Sequence, residues 1–140
     1  MSRKILVALG IGLALTLGFA CASVSEYQVA STPAVVGADL HILIEKTDTG
    51  NFMVTLEAQY LTPPDRVAEG LSVFVVWAKA PDQPAMRLGQ LNFDPDTREG
   101  TMQATTTNRG FDIIVTAELS PDVTVPGDTI IFQQTVAAPQ

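Results

Sequence analysis

Few residues in this 140-residue chain could do covalent or metal chemistry, and they are thinly spread. Cys21 is the sole cysteine and His41 the sole histidine. One thiol and one imidazole cannot build a Cys/His structural zinc site or a multi-His catalytic metal centre. His41 with a serine and an aspartate would make a hydrolytic triad, but no Gly-x-Ser-x-Gly signature accompanies it. The segment FDPDTREG, 93–100, brings Asp94, Asp96 and Glu99 close together, hard oxygen ligands of the kind calcium takes. Their spacing lacks the regular five-ligand pattern of an EF-hand loop, and Arg98 among them competes for the carboxylates. A polar hairpin turn is therefore expected there, with no metal and no cofactor.

Cys21 stands where an apolar run ends. Arg3 and Lys4 precede the uncharged sixteen-residue run from Ile5 to Ala20, the pattern of an export signal. That run is shorter than the roughly 20 residues of a permanent span, although an anchor reaching Ser25 would be long enough. The two basic residues hold its start inside, so everything after it lies outside. Cys21 then has three readings. Residues 18–21, Gly-Phe-Ala-Cys, resemble the lipobox of bacterial lipoproteins, whose cysteine thiol is diacylated before cleavage in front of it. Ala20 matches that pattern, whereas Gly18 and Phe19 stand where the family usually has Leu and a small residue. Alternatively Ala20-Cys21-Ala22 is an A-x-A site for ordinary signal-peptide cleavage, or Cys21 is an inert apolar residue of a retained anchor. The lipobox resemblance implies residues 1–20 as signal peptide and a lipid on Cys21. It also implies an outer-membrane or periplasmic-face location, because Ala22 and Ser23 lack the Asp that enteric-type sorting uses for inner-membrane retention.

Acylation also has a physical rationale. No cysteine follows Cys21, so a lipid on its thiol would leave an exported domain free of stray disulfides. Several acyl chains would also hold a membrane far better than one. The chain is acidic, with 8 basic and 15 acidic residues, so nucleic acid is an unsuitable partner. A mature chain starting at Cys21 keeps 6 of those basic residues against the same 15 acids, formally −9. Residues 21–37, small, polar and proline-containing, are expected to form a flexible tether. On it the acidic domain would stand away from the headgroups, leaving the acyl chains as the sole membrane contact.

From residue 38 the texture is that of strands: short apolar runs closed by Gly, Pro, Asn or Asp. Seven are expected, roughly Leu40–Lys46, Phe52–Leu61, Leu71–Ala80, Met86–Phe93, Gly100–Thr106, Phe111–Glu118 and Thr129–Val136. The turns TDTGN (47–51), DPDTREG (94–100) and TNRG (107–110) supply residues that tolerate positive φ. Phe52, Val54, Leu56, Ala58 and Tyr60 alternate with polar neighbours, whereas LSVFVVWA, 71–78, is apolar on both faces, as in a central strand covered twice. No segment after Gly37 keeps a helical period, so residues 38–140 read as a single all-β domain, a seven-stranded antiparallel β-sandwich, Ig-like in general architecture.

The order VTLEAQYLTPPDRVAEGLSVFVVWA, LGQLNFD and FDIIVTAELSPDVTVPGD resembles the extracytoplasmic C-terminal domain of anti-sigma-K factors, over about residues 40–136. Leu61, Pro63, Pro64, Trp77, Leu88, Gly89, Val115, Thr116, Glu118 and Pro126 carry the likeness, while LSPDVT, 119–124, replaces the family's usual Gly-Gly-Ser. The resemblance implies a β-sandwich outside the cytoplasm. It does not extend to sigma-factor binding, because in that family a separate cytoplasmic helical domain does that work.

Within the sandwich, Trp77 is expected in the core, against the facing sheet. Glu118 is expected to pair with Arg109 or to accept backbone N–H groups of the 120–128 loop, pinning it. The long proline-bearing loops are the expected recognition surface: Pro63, Pro64, Asp65 and Arg66 in one, Asp122, Pro126 and Asp128 in the other. The functional expectation is a non-enzymatic, lipid-anchored envelope module for interaction, sensing or structure, with an envelope protein or polymer as partner and no sigma factor. A small secreted hydrolase or calcium-dependent binding protein is the alternative.

Overall fold

The computed structural model describes residues 23–140; the signal segment and Cys21 lie outside the described residues. Nine strands follow in chain order: β1 (Val24–Ala30), β2 (Asp39–Lys46), β3 (Phe52–Gln59), β4 (Val73–Lys79), β5 (Met86–Gln90), β6 (Asn92–Asp94), β7 (Glu99–Thr106), β8 (Gly110–Glu118) and β9 (Ile130–Ala137). One short helix, α1 (Pro64–Val67), interrupts them. The strands form two sheets, ordered β1-β2-β3-β7-β6 and β5-β4-β8-β9, with every neighbouring pair antiparallel. The all-β, two-sheet expectation holds, with nine strands in place of seven.

Alternation explains which residues meet in the middle. Leu40, Ile42 and Ile44 of β2 and Phe52, Val54, Leu56 and Ala58 of β3 share the inner face of the first sheet. Phe74 and Val76 of β4 with Phe111, Ile113 and Val115 of β8 share that of the second, and all belong to a single core cluster. Phe74 also meets Phe93 of β6 edge to face across the layers, with ring centroids 5.3 Å apart.

Two of the sequence expectations fail here. Most of residues 21–37 is not a tether. Val24–Ala30 pairs along its whole length with β2, from Val24 opposite Glu45 to Ala30 opposite Asp39. Tyr27 and Val29 face the core, and the Tyr27 hydroxyl takes the Ala137 N–H at 2.8 Å, linking β1 to β9. Residues 31–38 close a turn: Val35 is buried, the Ser31 hydroxyl donates to the Val35 carbonyl, and Thr32 N–H donates to the Ile131 carbonyl at 2.8 Å. The domain thus begins at β1, not at residue 38. The expected single strand 86–93 is also two. Leu91 turns inward, its N–H donating to the Phe74 carbonyl at 2.9 Å, and the chain passes there from the second sheet to the first.

The strand directions give the sandwich two distinct ends. The proximal end is where β1 begins, and it carries the connections 47–51, 80–85 and 107–109. The distal end carries 31–38, 60–72, the 95–98 turn and 119–129. The 47–51 turn places Gly50 at φ 84, but in the 95–98 turn it is Arg98, at φ 59, that takes the left-handed conformation. Gly100 serves a different need: a Cβ there would lie 2.5 Å from Leu91 Cδ2 and 3.0 Å from Leu61 Cδ1. Its bare backbone leaves room for the leucine at which the chain changes sheet. Gly100→Ala is expected to cost about 1–3 kcal/mol through overpacking, read as a lower urea midpoint at unchanged m-value.

Candidate functional site

The two expected recognition loops converge at the distal end. The Ser72 N–H donates to the Glu118 carbonyl at 2.8 Å and its hydroxyl to the Leu119 carbonyl at 2.8 Å, joining the 60–72 loop to the root of the 119–129 loop. Asp65 and Arg66 are exposed on α1, and Asp122 and Asp128 are exposed on the second loop. Pro63 and Pro126 are half-buried, and Pro64 is buried. Pro64 therefore does not present itself to a partner. It opens α1 at a position where a missing N–H costs nothing, and it lines a groove of about 360 Å³ with Ser72, Phe74, Gln90, Asn92 and Phe93.

Arg98 welds a third segment to this end. Its Nε donates to the Leu61 carbonyl at 2.8 Å and Nη2 to the Tyr60 carbonyl at 3.1 Å, while Leu61 N–H returns a bond to the Arg98 carbonyl at 3.0 Å. The guanidinium thus serves backbone carbonyls and does not compete for the neighbouring carboxylates, contrary to expectation. Tyr60, at φ 58, is held in the left-handed region by this clasp, with its ring turned to solvent. Asp94 accepts the N–H groups of Asp96 at 2.8 Å and Thr97 at 3.4 Å, the work of a turn residue. Among the described residues no group of three His, Cys, Asp or Glu side chains could hold a metal ion, so Asp94, Asp96 and Glu99 do not assemble as ligands.

The 119–129 loop is built into the fold by a buried relay. Trp77 is fully buried, but on the outer face of the second sheet, away from the facing sheet where it was expected. With Val75 and Ile114 it forms a separate small core, covered by Ala85, Val123 and Ile130. Its indole N–H donates to Thr116 Oγ1 at 2.9 Å; Thr116 donates in turn to Glu118 Oε1 at 2.6 Å, which also takes the Gly127 N–H at 2.7 Å. Gly127 is required by contact, since a Cβ there would lie 2.9 Å from Glu118 Oε2. Of the two roles expected for Glu118, pinning the loop is the one observed. Arg109 precedes β8 at the proximal end and lies 5.5 Å over the Phe52 ring.

His41 lies elsewhere, on the outer face of the first sheet. Its Nε2 donates to Glu26 Oε1 at 2.6 Å, and Nδ1 lies 3.7 Å from Glu57 Oε2. The Glu26 carboxylate holds one ring nitrogen by a hydrogen bond, Glu57 lies near the other, and neither nitrogen meets a serine.

The sequence pattern missed a set of exposed apolar side chains. Val36, Tyr60, Leu119 and Val125 are between 60% and 88% exposed, and all four sit on distal connections. The same connections carry five carboxylates (Asp65, Glu69, Asp96, Asp122 and Asp128), with Asp94 and Glu99 on the strand ends beside them, against Arg66 and the engaged Arg98. Tyr60 was expected to continue the apolar face of the 52–61 strand, but β3 ends at Gln59 and the left-handed turn at Tyr60 swings its ring to solvent; for the other three, alternation within strands gives no signal because they lie between strands. Comparison with protein-family models, curated proteins and solved structures finds no match to the chain.

Thr116 is the hinge of the relay, accepting from one partner and donating to another. Thr116→Val keeps the shape but strands a buried indole N–H and removes a donor from Glu118. It is expected to cost about 1–3 kcal/mol, measured by urea unfolding followed through the single Trp.

Proposed function

We propose that this chain is a non-enzymatic, exported and lipid-anchored interaction module of the cell envelope, an Ig-like sandwich that binds an envelope protein or polymer through its distal loops. The observation that carries the reading is the gathering of Val36, Tyr60, Leu119 and Val125 on the connections of one end. Large apolar side chains concentrated on the connections of one end suit a recognition surface, and loops held by a rigid scaffold are where such folds bind. Anchoring is supported by the basic start, the apolar run and Cys21; the likeness of residues 40–136 to the extracytoplasmic anti-sigma-K domain supports work outside the cytoplasm, without a sigma factor. His41, engaged by Glu26 and Glu57, favours a structural over a hydrolytic role.

A photo-crosslinking residue placed at Tyr60, Leu119 or Val125 in the full chain in its native cells is expected to give a discrete adduct. The same residue at Thr105, exposed in β7, is expected to give none. Adducts absent from all three distal positions, or shared with Thr105, would contradict the assignment.

A further inference from the structure

We infer that the proximal end of the sandwich is a membrane-facing surface, and that the domain stands end-on against anionic lipid headgroups. The inference rests on the anchored reading of Cys21.

The length of chain outside the described strands decides how far the domain can stand off. Only Ala22 and Ser23 separate Cys21 from Val24, where β1 begins. Three residue steps reach at most about 10 Å even when fully extended. A lipid on Cys21, or a retained apolar segment ending there, therefore holds the start of β1 beside the headgroups. The 21–37 spacer that would have kept an acidic domain clear of the membrane does not exist as a spacer, because β1 and the 31–38 turn are part of the fold.

The two ends differ in the way this placement requires. Lys46, Lys79 and Arg109, half of the basic residues after Lys4, lie exposed at the proximal end, alongside Glu45, Asp48, Asp82 and Asp112. The distal connections and the strand ends beside them, by contrast, hold Asp39, Asp65, Glu69, Asp94, Asp96, Glu99 and Asp128, all exposed, against Arg66 and Arg98. An anionic surface repels the strongly acidic distal end far more than the nearly balanced proximal one, so the field and the short linker favour the same orientation. Among the described residues, the two exposed large apolar residues that are not distal, Val24 and Met86, open β1 and β5 at this proximal end. A groove of about 340 Å³ lined by Lys79, Ala80, Pro81, Asp112, Val136 and Ala137 opens there as well. Exposed apolar groups next to basic side chains suit the boundary between headgroup and acyl region. With eight-residue strands on the order of 25 Å long standing between, the distal loops are held a full domain length from the bilayer.

The test uses the full chain, purified from membranes with its native N-terminus and reconstituted in vesicles of phosphatidylethanolamine and phosphatidylglycerol. Asp48→Cys and Gln83→Cys place a thiol on the proximal end, Asp65→Cys and Asp96→Cys on the distal end, and each is labelled with bimane. With headgroup-spin-labelled lipid in the vesicles, bimane at 48 and 83 is expected to be quenched several-fold more than at 65 and 96. Equal quenching at all four sites, or stronger quenching at the distal pair, overturns the orientation. Flotation with the vesicles and labelled-palmitate incorporation lost in Cys21→Ser report the anchor separately. Protein that stays in the aqueous fraction would overturn the anchored reading and the orientation with it, whereas floating protein with uniform quenching would overturn the orientation alone.

Discussion

The bond from the Gly127 N–H to the buried Glu118 carboxylate closes the outer face of the second sheet, and much else depends on that closure. β4 is apolar on both sides: its inner residues meet the other sheet, but Val75 and Trp77, with Ile114 of β8 beside them, point outward, away from that sheet. The 119–129 loop supplies the cover, laying Val123 over the indole while Glu118 holds the loop's far limb. Thr116 couples the two by linking the covered tryptophan to the carboxylate. Since a buried carboxylate is tolerable only when its lone pairs are engaged, the loop and the relay require each other.

That closure also shapes the distal surface. A loop committed to covering Trp77 is ordered before any partner arrives, and its backbone holds Leu119 and Val125 outward from fixed points. The Arg98 clasp does the same for Tyr60, binding the root of the 60–72 loop to the β6–β7 hairpin. Exposed apolar side chains on pre-ordered backbone lose little entropy on binding, the economy expected of a recognition surface. The 31–38 turn, tied to β9 through Thr32, completes the same end with Val36 at its tip.

Much of this was legible in the residues, and the exceptions have particular causes. The strict alternation of β3 announces a strand with one buried face, and the two-sided apolarity of β4 an interior strand covered on both faces, as the sheets have them. β1 escaped because an edge strand buries only Tyr27 and Val29, too few positions to stand out from the polar residues between them. The 86–93 run reads as one strand since nothing in its pattern marks Leu91 as the residue that changes sheet. What makes that change possible is Gly100, nine residues on, whose missing Cβ admits the leucine. Periodicity says that Trp77 is buried but not on which face, because both faces of β4 are apolar. Arg98 beside three carboxylates looks like their partner in one dimension, whereas in space the carbonyls of Tyr60 and Leu61 are nearer. The Glu118 role could be read because the carboxylate ends a buried strand and faces the loop that follows it.

The central claim is that the 119–129 loop is part of the fold, locked by Glu118 over Trp77. Hydrogen exchange at the Gly127 amide and the Trp77 indole N–H measures this directly. The account predicts that both exchange orders of magnitude more slowly than the exposed amides of the 120–126 stretch, and that both lose protection together in Glu118→Ala. A Gly127 amide exchanging as fast as its loop neighbours, with the indole still protected, would contradict it.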